Sequence, residues 1–144
     1  MVADRSIMRT MNKSVWLTRF LGLGGVLETV SGLGLLVDPA GGASALFGSP
    51  IAGPGIAIGR IGGGALLALG IACWSARKTP EAPASVGVAW AYLAYHVVTC
   101  ITLACASLAP GGGSLPAVGA SVLHGVLAAG MLGALFGRTL ARTE

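Results

Sequence analysis

Side chains able to do chemistry are few in this chain, and most of them fall where charge is costly. Glu28 and Arg60 each interrupt a long apolar stretch, and both histidines, His96 and His124, lie inside two others. Charged groups at bilayer depth are expensive unless paired, so they turn toward neighbouring helices and find partners there. Counting about 1.5 Å per residue from the outer ends of these stretches, Glu28 and His124 reach a common depth of roughly 13 Å, with Arg60 about 4 Å shallower and His96 about 4 Å deeper. This predicts one buried polar cluster of Glu28, Arg60, Tyr92, His96 and His124, with an ion pair between Glu28 and Arg60. Gly24, Glu28 and Gly32 share one helical face, as do Arg60 and Gly64, and small residues beside a charge leave room for its partner. Tyr92, His96 and Cys100 follow at four-residue spacing with Tyr95 and Thr99 alongside, the most polar stripe in the chain.

Several chemistries are open to such a set. The pair and the histidines can be structural, fixing helix register. Tyr92 or Tyr95 stacking on a ring, with His96 hydrogen-bonded to a carbonyl headgroup, would suit a quinone, a lipid or another small hydrophobe. A proton or ion can move along Glu28, Arg60 and His124. Haem ligation by His96 and His124 is opposed by a depth offset of roughly 4 to 5 Å and by the bulk of Tyr92 and Tyr95, so no haem is expected. The chain carries no nucleophile, base and orienter set, no Walker loop and no metal-ligand motif. Cys73, Cys100 and Cys105 form no C-x-x-C or Cys/His spacing and read as small core residues. No catalytic residue, metal or obligatory cofactor is therefore expected.

The elements that must position these residues follow from composition. Of 144 residues, 54% are hydrophobic and only 10% charged, against roughly a quarter charged in ordinary soluble domains. That balance excludes a soluble enzyme and a nucleic-acid-binding surface and leaves a protein whose first partner is the lipid bilayer. Four apolar runs are long enough for about 30 Å of hydrocarbon: 15–37, 54–76, 84–108 and 115–137. Asp38-Pro39, Lys78-Thr79-Pro80 and Pro110-Gly111-Gly112-Gly113 punctuate them. The fold expected is all-α, an integral membrane four-helix transmembrane bundle. Residues 1–14 form a basic cytoplasmic tail and 138–144 a second one. Arg5, Arg9, Lys13 and Arg19 precede or open the first run, Arg77 and Lys78 follow the second, and Arg138 and Arg142 follow the fourth, while the other two connections have no Lys or Arg. The positive-inside rule then puts both termini in the cytoplasm. Trp16 near Lys13 and Trp74 near Arg77 fit the same boundary. The first run is read as a span rather than a cleaved signal peptide, despite Ala43-Ser44-Ala45, because of its length and Glu28. Residues 40–48 are too short to cross and are expected as a short surface helix.

Close helix packing in lipid depends on small residues. Gly55, Gly59 and Gly63 repeat at four-residue spacing, and Ser121, Gly125, Ala129, Gly133 and Gly137 make a longer row of the same kind. Both rows are expected to pack helices, within one chain or against a membrane-protein partner or second copy.

The first run ends Gly34-Leu35-Leu36-Val37-Asp38-Pro39, with Leu46-Phe47-Gly48 soon after. The second opens Gly59-Arg60-Ile61-Gly62-Gly63-Gly64 and closes Leu69-Gly70-Ile71-Ala72-Cys73-Trp74. These segments resemble the small four-helix DoxX-like bacterial inner-membrane proteins, and His96 and His124 match a polar residue and a histidine in the later helices. The resemblance implies a bacterial inner-membrane location and an accessory or scaffold subunit of a membrane complex. Some members are subunits of quinone-linked redox complexes, and no catalytic motif carries over.

Overall fold

The computed structural model describes the backbone over residues 2–110 and 114–139 and the side chains over 14–110 and 114–136. Five helices follow in order: α1 (Val2–Val37), α2 (Pro39–Phe47), α3 (Pro54–Ala76), α4 (Pro83–Leu108) and α5 (Leu115–Thr139). Four contain stretches long and apolar enough to cross a membrane: Ser14–Val37, Pro54–Ala76, Pro83–Leu108 and Leu115–Phe136. These agree with the four apolar runs to within a residue. The basic segment at the start is helical and continuous with the first span.

Proline opens α2, α3 and α4, where its missing N–H is no loss and its fixed φ suits the first turn. Asp38 caps α2 by accepting the Gly41 N–H at 2.8 Å. Gly48 ends α2 in the left-handed region at φ 77°, a conformation that a side chain would resist. The short helix expected over 40–48 is thus α2, and it is tied to the far side of the bundle because the Ser114 hydroxyl donates to the Leu46 carbonyl. Ser114 also caps α5, accepting the Ala117 N–H at 3.1 Å.

The bundle is built from two tight antiparallel pairs, α1 with α3 and α4 with α5. In the first pair the backbones nearly touch. A Cβ placed on Gly32 would lie 2.7 Å from the Gly63 carbonyl oxygen, and one on Gly70 would lie 2.7 Å from the Thr29 nitrogen and 3.1 Å from the Gly25 carbonyl oxygen. Gly25 and Gly32 on α1 therefore face Gly70 and Gly63 on α3, seven residues apart on each helix. The seam of α5 likewise runs through Ala117, Ser121, His124, Ala128, Met131 and Leu135, all buried but half-buried His124, in the alternating three- and four-residue steps of bundle packing.

Within the chain, each small-residue row packs only in part along these seams. Gly59 and Gly63 do pack, against Pro39 of α2 and the backbone of α1, but Gly55 meets only Ile51 of its own approach loop. On α5, Ser121 is buried and Gly125 lies against Cys100. Ala129 and Gly133 are exposed, nothing lies within 4 Å of a Cβ placed on Gly133, and the surroundings of Gly137 fall outside the described side chains. Four residues advance a helix by about 400°, so a strict four-residue row drifts by about 40° per step and leaves the interface within two turns.

The apolar core occupies one half of the bundle. Leu17, Leu21, Cys73, Ala76, Ala89, Tyr92, Leu93, Ala128, Met131 and Leu135 form it, all near the end that holds the α3–α4 connection. Aromatic and basic groups gather at the same end. The Arg77 guanidinium stacks on Trp74 at 3.5 Å from the ring centroid, and Arg19 lies 5.7 Å from Trp16; the side chain of Lys13 is outside the described residues. Elsewhere large apolar side chains such as Val30, Ile61, Val98 and Val126 point outward, as they must where the solvent is lipid.

Candidate functional site

Just above that apolar core, three helices contribute one polar side chain each. Glu28 of α1 and His96 of α4 are 3% and 0% exposed. His124 of α5 is half-buried beside them. The two imidazoles meet with Nδ1 2.6 Å from Nδ1. The other ring nitrogen of His96, Nε2, faces Glu28 Oε1 at 3.9 Å, just beyond direct hydrogen-bond range. His96 thus stands between Glu28 and His124 with one nitrogen toward each.

Two tyrosines enclose this line. The Tyr92 ring meets His96 edge-on with centroids 4.1 Å apart, and Tyr95 lies 5.1 Å from His96 and 5.5 Å from His124. Tyr92 reaches inward only because position 24 is glycine; a Cβ there would fall 2.6 Å from the Tyr92 hydroxyl. The space that Gly24 leaves beside Glu28 is therefore filled from α4 and not from α3. Tyr95 lies near Glu28 and Thr99. Tyr92 Oη and His96 Nε2 have no hydrogen-bond partner among the described residues. On the α3 side, Cys73 belongs to the same buried cluster as Tyr92.

Of the five residues expected to cluster, Glu28, Tyr92, His96 and His124 come together and Arg60 does not. Arg60 is exposed, and among the described residues the one ion-pair contact of Glu28 is with His96. The expected Glu28–Arg60 pair is thus replaced by Glu28 with His96. Arg60 lies at the right depth but on the wrong side: it is 13 positions before Cys73, or about 140° around α3 at 3.6 residues per turn. Its position in the second turn of α3 lets the long side chain extend toward the membrane boundary.

The depth offset expected between the histidines is also corrected. Ser121 Oγ donates to the Cys100 carbonyl at 2.9 Å, and the same register sets His124 level with His96. The start of α5 is then level with a point about two residues inside the end of α4, or about 3 Å, so the two ends do not share one plane. Depths counted from them inherit that error. The contact does not suit a pair of axial haem ligands. Nitrogens on opposite sides of one metal, each about 2.0 Å from it, stand about 4 Å apart, farther than these do. Among the described residues no group of three His, Cys, Asp or Glu is placed to hold a metal ion.

Sequence reasoning left Tyr95 and Cys73 out of the cluster. Tyr95 is adjacent to His96 and three residues from Tyr92, a spacing that keeps it on the same side of α4. Cys73 was legible only through its three-residue step from Gly70 along the α3 seam. Beside Tyr95, side chains of α1, α3 and α4 leave an apolar groove of about 360 Å³, lined by Leu35, Gly62, Ala65, Leu66, Leu69 and Tyr95.

Comparison with family models, characterised proteins and solved structures returns no match for this chain.

Proposed function

We propose that this protein is a non-catalytic subunit of a membrane complex, an accessory or scaffold component of a bacterial inner membrane, in keeping with its resemblance to the DoxX-like proteins. The observation that carries this reading is the sealing of its chemical groups. Glu28 and His96 are enclosed by helices, while the outer faces present apolar side chains suited to lipid and to other membrane helices. A sealed polar core orders a bundle well but gives a soluble substrate no entry. Affinity purification of the tagged chain from native membranes in mild detergent should retain a membrane partner in fixed stoichiometry. Recovery of the chain alone, under conditions that preserve other complexes of that membrane, counts against the reading.

A second reading draws on the groove beside Tyr95. Its apolar walls and the ring of Tyr95 suit a quinone or lipid entering sideways from the bilayer, with Tyr95 linking it to Glu28. Arg60 takes no part in such a site. Organic extraction of the purified protein separates the readings: a stoichiometric quinone favours the second.

Orientation belongs to the same proposal, with both termini cytoplasmic. A reporter active only outside the cytoplasm should be silent when fused at residue 144 and active when fused after residue 112. The reverse pattern would invert the bundle.

A further inference from the structure

Toward the end of the bundle that holds the α3–α4 connection, a second groove opens outward along the α1–α3 seam. It has a volume of about 360 Å³ and is walled by Val26, Thr29 and Val30 of α1 and by Ile71, Trp74 and Ser75 of α3. Gly25 completes it. A Cβ on Gly25 would stand 3.1 Å from the Trp74 backbone nitrogen and 3.1 Å from the ring atom Cε3, so the indole lies against α1 only because that position has no side chain. Val26, Val30 and Ile71 are exposed, and the Thr29 hydroxyl turns back to donate to the Gly25 carbonyl at 2.6 Å, which leaves the walls apolar. Cationic groups gather at one end. The Arg77 guanidinium stacks on the Trp74 ring, and its Cδ lies 3.6 Å from where a Cβ on Gly22 would stand. Arg77 thus reaches from α3 to α1 across the mouth of the groove.

Stacking occupies the face of a guanidinium and leaves the N–H donors on its edge, and Arg77 Nε has no hydrogen-bond partner among the described residues. Lys78 follows as an exposed residue, and Arg19 of α1 lies at the same end, against Trp16. The described side chains of that end supply these three cations and one carboxylate, Glu81, so its charge is positive. We propose that the groove is a binding site for an anionic membrane phospholipid, with the headgroup phosphate on Arg77 and one acyl chain against Val26, Val30 and Ile71. The dimensions agree. Ile71 is six positions before Arg77, about 9 Å deeper along α3, which carries the groove from the headgroup level, where tryptophan settles, into the hydrocarbon. Charge selects the headgroup: basic pockets between membrane helices recognise anionic lipids, and each basic side chain near the surface strengthens the attraction about fivefold. A zwitterionic lipid gains the apolar contact without the net attraction. The site shares no residue with the groove beside Tyr95, and it needs residence in a membrane but no partner subunit.

Native mass spectrometry of the full chain in mild detergent tests the proposal, with phosphatidylglycerol and phosphatidylcholine of identical acyl chains as probes. The chain should retain one phosphatidylglycerol in preference to phosphatidylcholine. Arg77→Gln should lower that preference about fivefold, while Arg60→Gln, at the other end of α3, leaves it unchanged. Ile71→Trp fills the groove from an exposed position and should lower retention of phosphatidylglycerol with Arg77 intact. Equal retention of the two lipids by the unaltered chain, equal effects of Arg77→Gln and Arg60→Gln, or undiminished retention in Ile71→Trp would each overturn the site. Displacement of the bound lipid by glycerol phosphate at equal concentration overturns it as well, since that result assigns an anion site without the groove. If Arg77→Gln does not fold, the unaltered chain and Ile71→Trp decide.

Discussion

Leucine in place of Gly32 is expected to abolish the folded bundle, whereas leucine in place of Gly133 leaves it intact. At Gly32 a Cβ would already stand 2.6 Å from the Leu67 nitrogen and 2.7 Å from the Gly63 carbonyl oxygen. Both neighbours are backbone, so no side chain can rotate away; α1 and α3 must separate along their length. Forcing atoms into a packed interface costs roughly 1–3 kcal/mol where side chains can adjust, and a backbone against backbone contact sits at or above the top of that range. Separation would also undo the second approach, at Gly25 and Gly70, and loosen Glu28 from its neighbours. At Gly133 nothing lies within 4 Å, and the new side chain would join a surface already facing lipid, with an effect within about 0.5 kcal/mol. The measurement is retention of the monodisperse elution peak during thermal challenge in mild detergent. Equal tolerance at the two positions would remove the α1–α3 seam as the basis of the fold.

That contrast shows what the sequence discloses. The four spans were legible because lipid demands unbroken apolar length, and the breaks at 38–39, 78–80 and 110–113, rich in proline and glycine, mark the reversals as plainly as composition does. Choosing which small residues pack was harder, because a chain with 24 glycines offers many rows. Four-residue repetition catches the eye, yet an interface that stays in contact over several turns needs an average step near 3.5 residues. Gly63 and Gly70, seven apart, satisfy that requirement; Ser121 through Gly137 at constant spacing of four does not.

The same geometry explains the polar cluster. Depth along the membrane normal is read by counting residues, and it brought Glu28 and His124 close to their true level. Angle around each helix and register between helices are set by packing. Arg60 failed on angle. His96 failed on register, and only the Ser121 to Cys100 hydrogen bond reveals that α4 and α5 do not end level. Tyr92 was legible as a polar member of the α4 stripe, but its path to the centre depends on Gly24 of another helix, a relation that no local pattern encodes.

Glu28 and His96 should therefore behave as an energetic unit, and Glu28 and Arg60 should not. Glu28→Ala leaves His96 Nε2 without the carboxyl it faces at 3.9 Å, and His96→Ala leaves that carboxyl beside a void. Each single change should destabilise by roughly 1–3 kcal/mol, the cost of stranding a buried polar group, with cavity formation adding to the histidine change. The double variant should be milder than the sum, with a coupling of about 0.5–3 kcal/mol as found for residues in direct contact. Arg60→Ala should cost within about 0.5 kcal/mol, and combining it with Glu28→Ala should add nothing beyond the two separate effects to within about 0.5 kcal/mol. Both cycles can be measured by denaturant unfolding in the same detergent, which cancels the unknown cost of the unfolded state in micelles. Coupling between Glu28 and Arg60, with additivity between Glu28 and His96, would restore the pairing that depth alone suggests and would put α3 rather than α4 opposite the carboxylate.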